Sequence, residues 1–302
     1  MKYIVGKEDD GLSLKLILSQ KLGLSRAFIK HLKFLDGGIA LNGKSATVRA
    51  VAHAGDELFL AIEDEGIPDH LTPTELPLDI VYEDDCMILP NKPPFMPTHP
   101  SHLHHGDTLA DALAYRYARD GKPFVFRPVN RLDRNTSGIT LIAKDRVSAS
   151  RLALAMKNGE IQKQYLAILD GEIPEDEGII ENYMKRTDES IIVRRVCNAD
   201  EGGDYALTHY TCLCRAQGMS LVLAMPKTGR THQLRVHFAS LGCPILSDEL
   251  YGKESPMIPR HALHALSLTL PHPSSGEMMS FCAPLPKDMQ ELCLSIFGYT
   301  QN

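Results

Sequence analysis

Apolar positions change their rhythm along this chain, and the change divides it. In the first sixty residues Leu18, Leu22, Phe28, Ile29 and Leu32 recur near helical spacing. Gly23 interrupts that pattern and Ser25 suits an N-cap, so two short helices joined by a tight turn are predicted. Beyond the turn Asp36-Gly37-Gly38, residues 39–44 and 55–60 alternate like strands around Asn-Gly and Gly-Asp turns. Two helices and a small curled sheet would make one unit, 1–62. Residues 63–77 carry prolines and acidic groups with little periodicity and read as a semi-rigid linker.

From residue 78 the pattern is strand-like again, at 78–82 and 86–89. Prolines then forbid helix through NKPPFMPTHPS, 91–101, and impose an extended path. Leu109, Ala112 and Leu113 predict a helix over 108–117, capped near Asp107. Asp145 is placed to cap a second helix running to Lys157, with Ala149, Leu152, Ala153 and Met156 on one face, and Asn158-Gly159 stops it. IQKQYLAILDGEI alternates around Tyr165, Ala167 and Leu169, which puts Tyr165 on a strand. Strands follow at 210–213 and 221–225. A helix over 232–241 buries Leu234, Phe238 and Leu241 and ends at Gly242.

A chain of 302 residues favours two domains, here 1–62 and 78–302 joined by 63–77. Its 43% hydrophobic and 23% charged residues are ordinary for a globular protein with a full core. No apolar run approaches the roughly 20 residues that cross a bilayer, and the start lacks a secretory h-region; no membrane partner and a cytoplasmic location are expected. The seven cysteines include no C-x-x-C pair, which fits reduced, inert thiols. His99, His102, His104 and His105 invite a metal reading, but convergent ligands are not evident, and no metal or cofactor is expected. A net charge of −6 argues against a surface that grips nucleic acid all over. Basic clusters persist locally, as at Arg127, Arg131 and Arg134 or at Lys227, Arg230 and Arg235, and a basic cleft on an acidic body still attracts a polyanion.

The candidate chemistry centres on RPVNRLDRNTSGITLIAKD, 127–145. Asp133 stands between Arg131 and Arg134 in a loop that runs into an apolar strand. Flanking guanidinium groups favour a carboxylate's ionised form, which suits a nucleophile or electrostatic stabiliser better than a general acid. Charged loop clusters are also common as plain surface features, and spacing alone leaves both readings open.

NRLDRNTSG, 130–138, closely resembles the HRLDxxTSG signature of the RluA-like pseudouridine synthases, which isomerise uridine in structured RNA. Asn130 stands where that signature most often has His; since the His is not the nucleophile, activity is expected to survive. The resemblance implies an α+β fold, with a mixed, mainly antiparallel central sheet and flanking helices forming a catalytic cleft, and a small N-terminal α/β domain. It implies Asp133 as catalyst. KQYLAILDG is similar to the family's second motif, implying that Tyr165 lies against the uracil and assists proton removal. PKTGRTHQLRVHFASLGCPILSDELYG resembles its third, implying that Arg235 pairs with the aspartate while Arg230, His232 and Gln233 contact substrate or scaffold; Arg131, in the first motif, is expected to bind substrate RNA by filling the stack that the flipped uridine leaves. NKPPFMPTHP is similar to a segment beside the cleft, with Pro94-Phe95 where a small residue and Gly are more usual. LSRAFIKHLK with LNGK and GDELFL resembles the RNA-binding domain of the ribosomal-protein-S-four type; Arg26, Lys30 and Lys33, on one helical face, match its RNA contacts. The expected partner is structured ribosomal or transfer RNA, bound by a monomer. Two rivals remain: an inactive RNA-binding protein on this scaffold, and a metal-dependent hydrolase built on the run from His99 to His105.

Overall fold

The structure, a computed structural model, describes residues 1–61, 66–101 and 103–301. The first residues of the expected linker, the 62/63 boundary and His102 lie outside the described residues. At the N-terminus come β1 (Lys2–Ile4), α1 (Leu14–Leu16, continued by a π-helical turn Ile17–Lys21), α2 (Arg26–Phe34), β2 (Ile39–Leu41), β3 (Lys44–Ser45) and β4 (Glu57–Leu60). The strands form an antiparallel sheet in the order β1-β4-β2-β3. Ser25 caps α2 by accepting from the Phe28 amide, one of the four orphan donors of a helix start. Leu14, Ile17, Leu18, Leu22, Phe28, Ile29 and Leu32 pack with Leu58 and Leu60 into one core, completed by Val147 from the second half of the chain. Arg151 adds a bond to the Leu22 carbonyl at 3.2 Å.

The second half contains β5 (Asp79–Glu83), β6 (Met87–Lys92), α3 (Leu109–Arg119), β7 (Ser137–Ile139), β8 (Ile142–Ala143), α4 (Arg146–Lys157), β9 (Gln162–Asp170), β10 (Glu177–Arg186), β11 (Arg194–Cys197), β12 (Asp204–Ala216), β13 (Met219–Pro226), α5 (Gln233–Ser240), β14 (Leu263–Pro271), β15 (Met278–Cys282) and α6 (Lys287–Phe297). Among the described residues the sheet runs β11-β10-β12-β13-β9-β14-β7-β6-β5, with β15 on β14 and β8 on β6. All pairs are antiparallel except β7 with β14. This is the mixed, mainly antiparallel α+β architecture expected. Period-2 alternation distributes β6 between two layers: Met87 and Leu89 pack with Leu152 of α4, Ile88 with Leu109 and Leu113 of α3. On the other half of the sheet, Leu234 and Phe238 of α5 and Met289 and Leu292 of α6 cover Leu166, Ile168 and Leu221.

The parallel pair fixes the motif loop in place. Gly138 has φ +113°, and a Cβ there would meet the Ala265 carbonyl oxygen at 2.2 Å. Only glycine lets the end of the loop approach β14 this closely.

Several local expectations shift. The cap of α3 is Thr108, not Asp107: its hydroxyl accepts from the Asp111 amide, and Asp111 reaches back to the Thr108 amide, a capping box that Asp107 could not form. The second strand begins at Met87 because the Asp84 carboxylate accepts from both the Cys86 and Met87 amides, holding Cys86 in a turn. Helix α4 starts after Asp145 and ends at Lys157 as predicted, but Ser148, Leu152 and Ala155 are its buried stripe, with Ala153 exposed. In α5, Leu241 is the exposed C-cap and Val236 is buried instead.

Candidate active site

The motif loop is stitched at both flanks of Asp133. The Thr98 hydroxyl donates to the Leu132 carbonyl at 2.9 Å. Lys92, wholly buried, donates to the carbonyls of Pro93, Met96 and Arg134 at 3.0, 2.8 and 3.1 Å. Burial, then the Arg260 charge, draws the Lys92 ammonium down to about 7, while three carbonyl acceptors match an ammonium's three donors. Asn130 accepts from the Leu141 amide at 2.7 Å and so ties the loop to its strand. Asp133 is left 30% exposed at the floor of an open cleft of about 570 Å³.

Its nearest partners among the described ion-pair contacts come from the third motif: the Arg235 guanidinium, with Nη1 at 3.5 Å, and the His232 imidazole, with Nε2 at 3.9 Å. The sequence expectation that Arg131 and Arg134 hold this carboxylate is corrected. Arg131 donates to Thr231 Oγ1 at 3.2 Å and Arg134 to the Phe95 carbonyl at 3.3 Å. Neighbours in the chain point apart, and the guanidinium that meets Asp133 arrives on α5.

Arg235 is 4% exposed and has a second carboxylate behind it. Its Nε and Nη2 grip both oxygens of the fully buried Asp248 at 2.7 Å each, the bidentate geometry that fixes a guanidinium plane. Asp248 also accepts from the Leu250 and Tyr251 amides. Buried against its own desolvation, its carboxyl is nonetheless held below the ordinary range by Arg235. The Tyr251 ring lies 5.1 Å from the Arg235 guanidinium carbon, and its hydroxyl meets His232 Nδ1 at 2.8 Å. His232 takes a left-handed backbone at φ 59° where the loop enters α5; burial first of all keeps its imidazole below its usual pKa. Asp248, Tyr251 and Lys92 all lay within segments quoted for their motifs, yet nothing in the sequence marked them as this network.

Tyr165 lines the same cleft from β9, where it pairs with Ala224 and Ala265. Burial, then the Asp133 charge, push its phenol well above the usual range, so the hydroxyl stays protonated. The side chain presents a flat ring and a polar hydroxyl to the cleft.

The remaining site residues separate. Arg131 and Arg230 line the cleft, Arg230 donating to the Tyr205 carbonyl at 3.0 Å and lying 3.7 Å from Asp204. Gln233 has no group to spare for a ligand: its oxygen accepts from Thr228 and the Arg230 amide, and its amide donates to Leu207 and Thr208. It shapes the turn. Arg26, Lys30 and Lys33 are exposed on α2, opposite buried Phe28, Ile29 and Leu32, and do not line the cleft.

For the metal reading, His104 bonds Asp107 and His99 sets its ring edge-on to Phe126. The described group with metal-ligand spacing is Asp84, Cys86 and His272, outside the cleft lining. Its Asp84 oxygens accept from two backbone amides, the Tyr82 hydroxyl and His272.

A carboxylate, a guanidinium locked beside it and an aromatic wall thus share one cleft. The family model described as RNA pseudouridylate synthase matches residues 87–240, and the chain belongs to this family of RNA-modifying isomerases. It is 38% identical over 272 residues to the uncharacterized RNA pseudouridine synthase YjbO of Bacillus subtilis, covering 90% of this chain and 95% of that one. It is 35% identical to the ribosomal large subunit pseudouridine synthase D of Zymomonas mobilis, covering 89% and 88%. The structure is similar to human RNA pseudouridylate synthase domain containing 1, with a TM-score of 0.59 and 31% identity over 70% of this chain and 84% of that one.

Proposed function

We propose that this RNA pseudouridine synthase acts on uridines in structured ribosomal or transfer RNA, with Asp133 as catalyst, Tyr165 as uracil wall and Arg235 as the group that aims the carboxylate. The observation that carries the reading is the approach of Arg235 Nη1 to Asp133 at 3.5 Å, with Tyr165 lining the same cleft. The target uridine leaves its helix, at a cost of a few kcal/mol, and enters the cleft. Arg131, exposed beside Asp133, fills the vacated stack. Asp133 promotes rupture of the bond from ribose C1′ to uracil N1. The ring turns against Tyr165, a bond forms from C1′ to C5, the C5 proton leaves and N1 takes one up. Atoms balance within the uridine, so the isomerisation needs no co-reactant.

The N-terminal unit, 1–62, acts as an RNA-binding domain through Arg26, Lys30 and Lys33, three exposed cations on one face of α2. No helix among the described residues is long and apolar enough to cross a membrane. On the same reading the enzyme works in the cytoplasm as a monomer. The test is pseudouridine mapping across the RNA of a deletion strain, complemented with wild type or with Asp133→Asn. Wild type restores the missing sites and the variant does not; equal restoration by both would remove Asp133 from the mechanism.

A further inference from the structure

Beside the cleft stands a residue whose backbone conformation disfavours it. Phe95 has φ +65°, a left-handed conformation that glycine takes freely and that a side chain bearing Cβ resists. Its ring is not buried in compensation: Phe95 is 44% exposed. The loop around it is nevertheless tied down by hydrogen bonds. Lys92 clamps the carbonyls on both sides, of Pro93 and Met96, and Arg134 holds the carbonyl of Phe95 itself. The same lysine holds the Arg134 carbonyl, and Thr98 bonds Leu132, so the loop and the segment carrying Asp133 form one body. Four residues past Phe95, His99 lines the cleft with Arg131. Backbone strain held by a clamp, with an exposed aromatic ring as its product, is the pattern of a functional contact.

We propose that Phe95 is a stacking platform for an unpaired base of the substrate RNA flanking the flipped uridine, and that Arg134 takes the adjoining phosphate. The inference rests on the reading that this cleft receives a uridine flipped from structured RNA. Flipping leaves neighbouring bases partly unstacked, and single-stranded RNA is recognised by bases stacked on aromatic rings next to cationic groups. Arg134 meets the second requirement: it is exposed, and among the described residues only its Nε is engaged, with the Phe95 carbonyl. Phe95 touches no reacting atom, so it is a specificity residue, felt in RNA affinity.

The chain contains no tryptophan, which makes Phe95→Trp a single fluorescent reporter at the proposed contact. The RNA probe is unmodified total RNA from a deletion strain, with inorganic polyphosphate as a polyanion without bases. The tryptophan variant should bind RNA like wild type, and its emission should fall with RNA and not with polyphosphate. Phe95→Ala and Phe95→Leu should bind RNA about fivefold to a hundredfold more weakly, with turnover at saturating RNA within about twofold of wild type. Phe95→Gly should lose affinity equally without losing thermal stability, because it removes the ring and the left-handed strain together. Unchanged emission at saturating RNA, or wild-type affinity in the alanine variant, overturns the proposal. Failure of the wild type to form pseudouridine overturns the function proposed above, while emission and affinity still report on Phe95.

Discussion

Arg235 serves two carboxylates, and the two services can be separated. Replacing it by methionine keeps most of the volume and removes the charge. At 3.5 Å from Asp133, its attraction in an effective dielectric of about 20 is near 5 kcal/mol before desolvation. The fold feels mainly the other partner. Asp248 is fully buried, and stripping the cation from a buried pair costs about 3–5 kcal/mol. At about 2–4 °C per kcal/mol for a body of this size, Arg235→Met should lower Tm by roughly 6–20 °C. Adding Asp248→Asn removes the stranded charge while leaving an oxygen for the Leu250 and Tyr251 amides, so the double variant should recover most of that loss. Activity should not follow. With nothing aiming Asp133, both variants should fall by about a hundredfold or more in kcat. With the Asp248→Asn single variant as the fourth member, calorimetry and tritium release on the same preparations give the double-mutant cycle. If turnover returns together with stability, Arg235 acts only through the fold and the reasoning fails.

Gly138→Ala forces a Cβ against the Ala265 backbone at a φ of +113°; urea unfolding should show a loss of about 3 kcal/mol or more, or no soluble protein at all. His237, His261 and His264 are held by burial at about 4, 3 and 4, below an unfolded value near 6.5. Between those limits the unfolded chain binds the extra protons, so stability is complete above about pH 6.5 and falls toward pH 4, by up to about 1.4 kcal/mol per pH unit for each histidine; a Tm that stays flat from pH 7 to 4.5 contradicts this. Changing Arg26, Lys30 and Lys33 together to Gln should leave Tm unchanged and flatten the slope of log Kd against log salt by about 2–3; an unchanged slope places the RNA elsewhere.

What could be read from the chain was local. Asp145 before its helix, Ser25 before α2 and the alternation through Tyr165 each express a short-range rule, and the structure has them there. Asp133, Tyr165 and Arg235 were legible as members of three motifs, and the fold brings them to one cleft. What failed was inference from adjacency. Arg131 and Arg134 flank Asp133 in sequence and bond elsewhere. Nothing in the sequence set Asp248 apart, because its bidentate partner, Arg235, is delivered by a different element. Gln233 looked free to meet a ligand until four internal hydrogen bonds accounted for its amide. The choice of Thr108 over Asp107 turned on Asp111, three residues into the helix. In each case the deciding contact is set by the folded backbone, and adjacency in the chain does not reveal it.

The central claim is that Asp133 does the chemistry while the surrounding cleft does the binding. The direct measurement is tritium release from RNA labelled at uracil C5, at saturating RNA, by wild type and Asp133→Asn, with RNA affinity measured alongside. The account predicts that the variant binds RNA within about threefold of wild type and releases tritium at least about a thousandfold more slowly. Release at a comparable rate by the bound variant would contradict it.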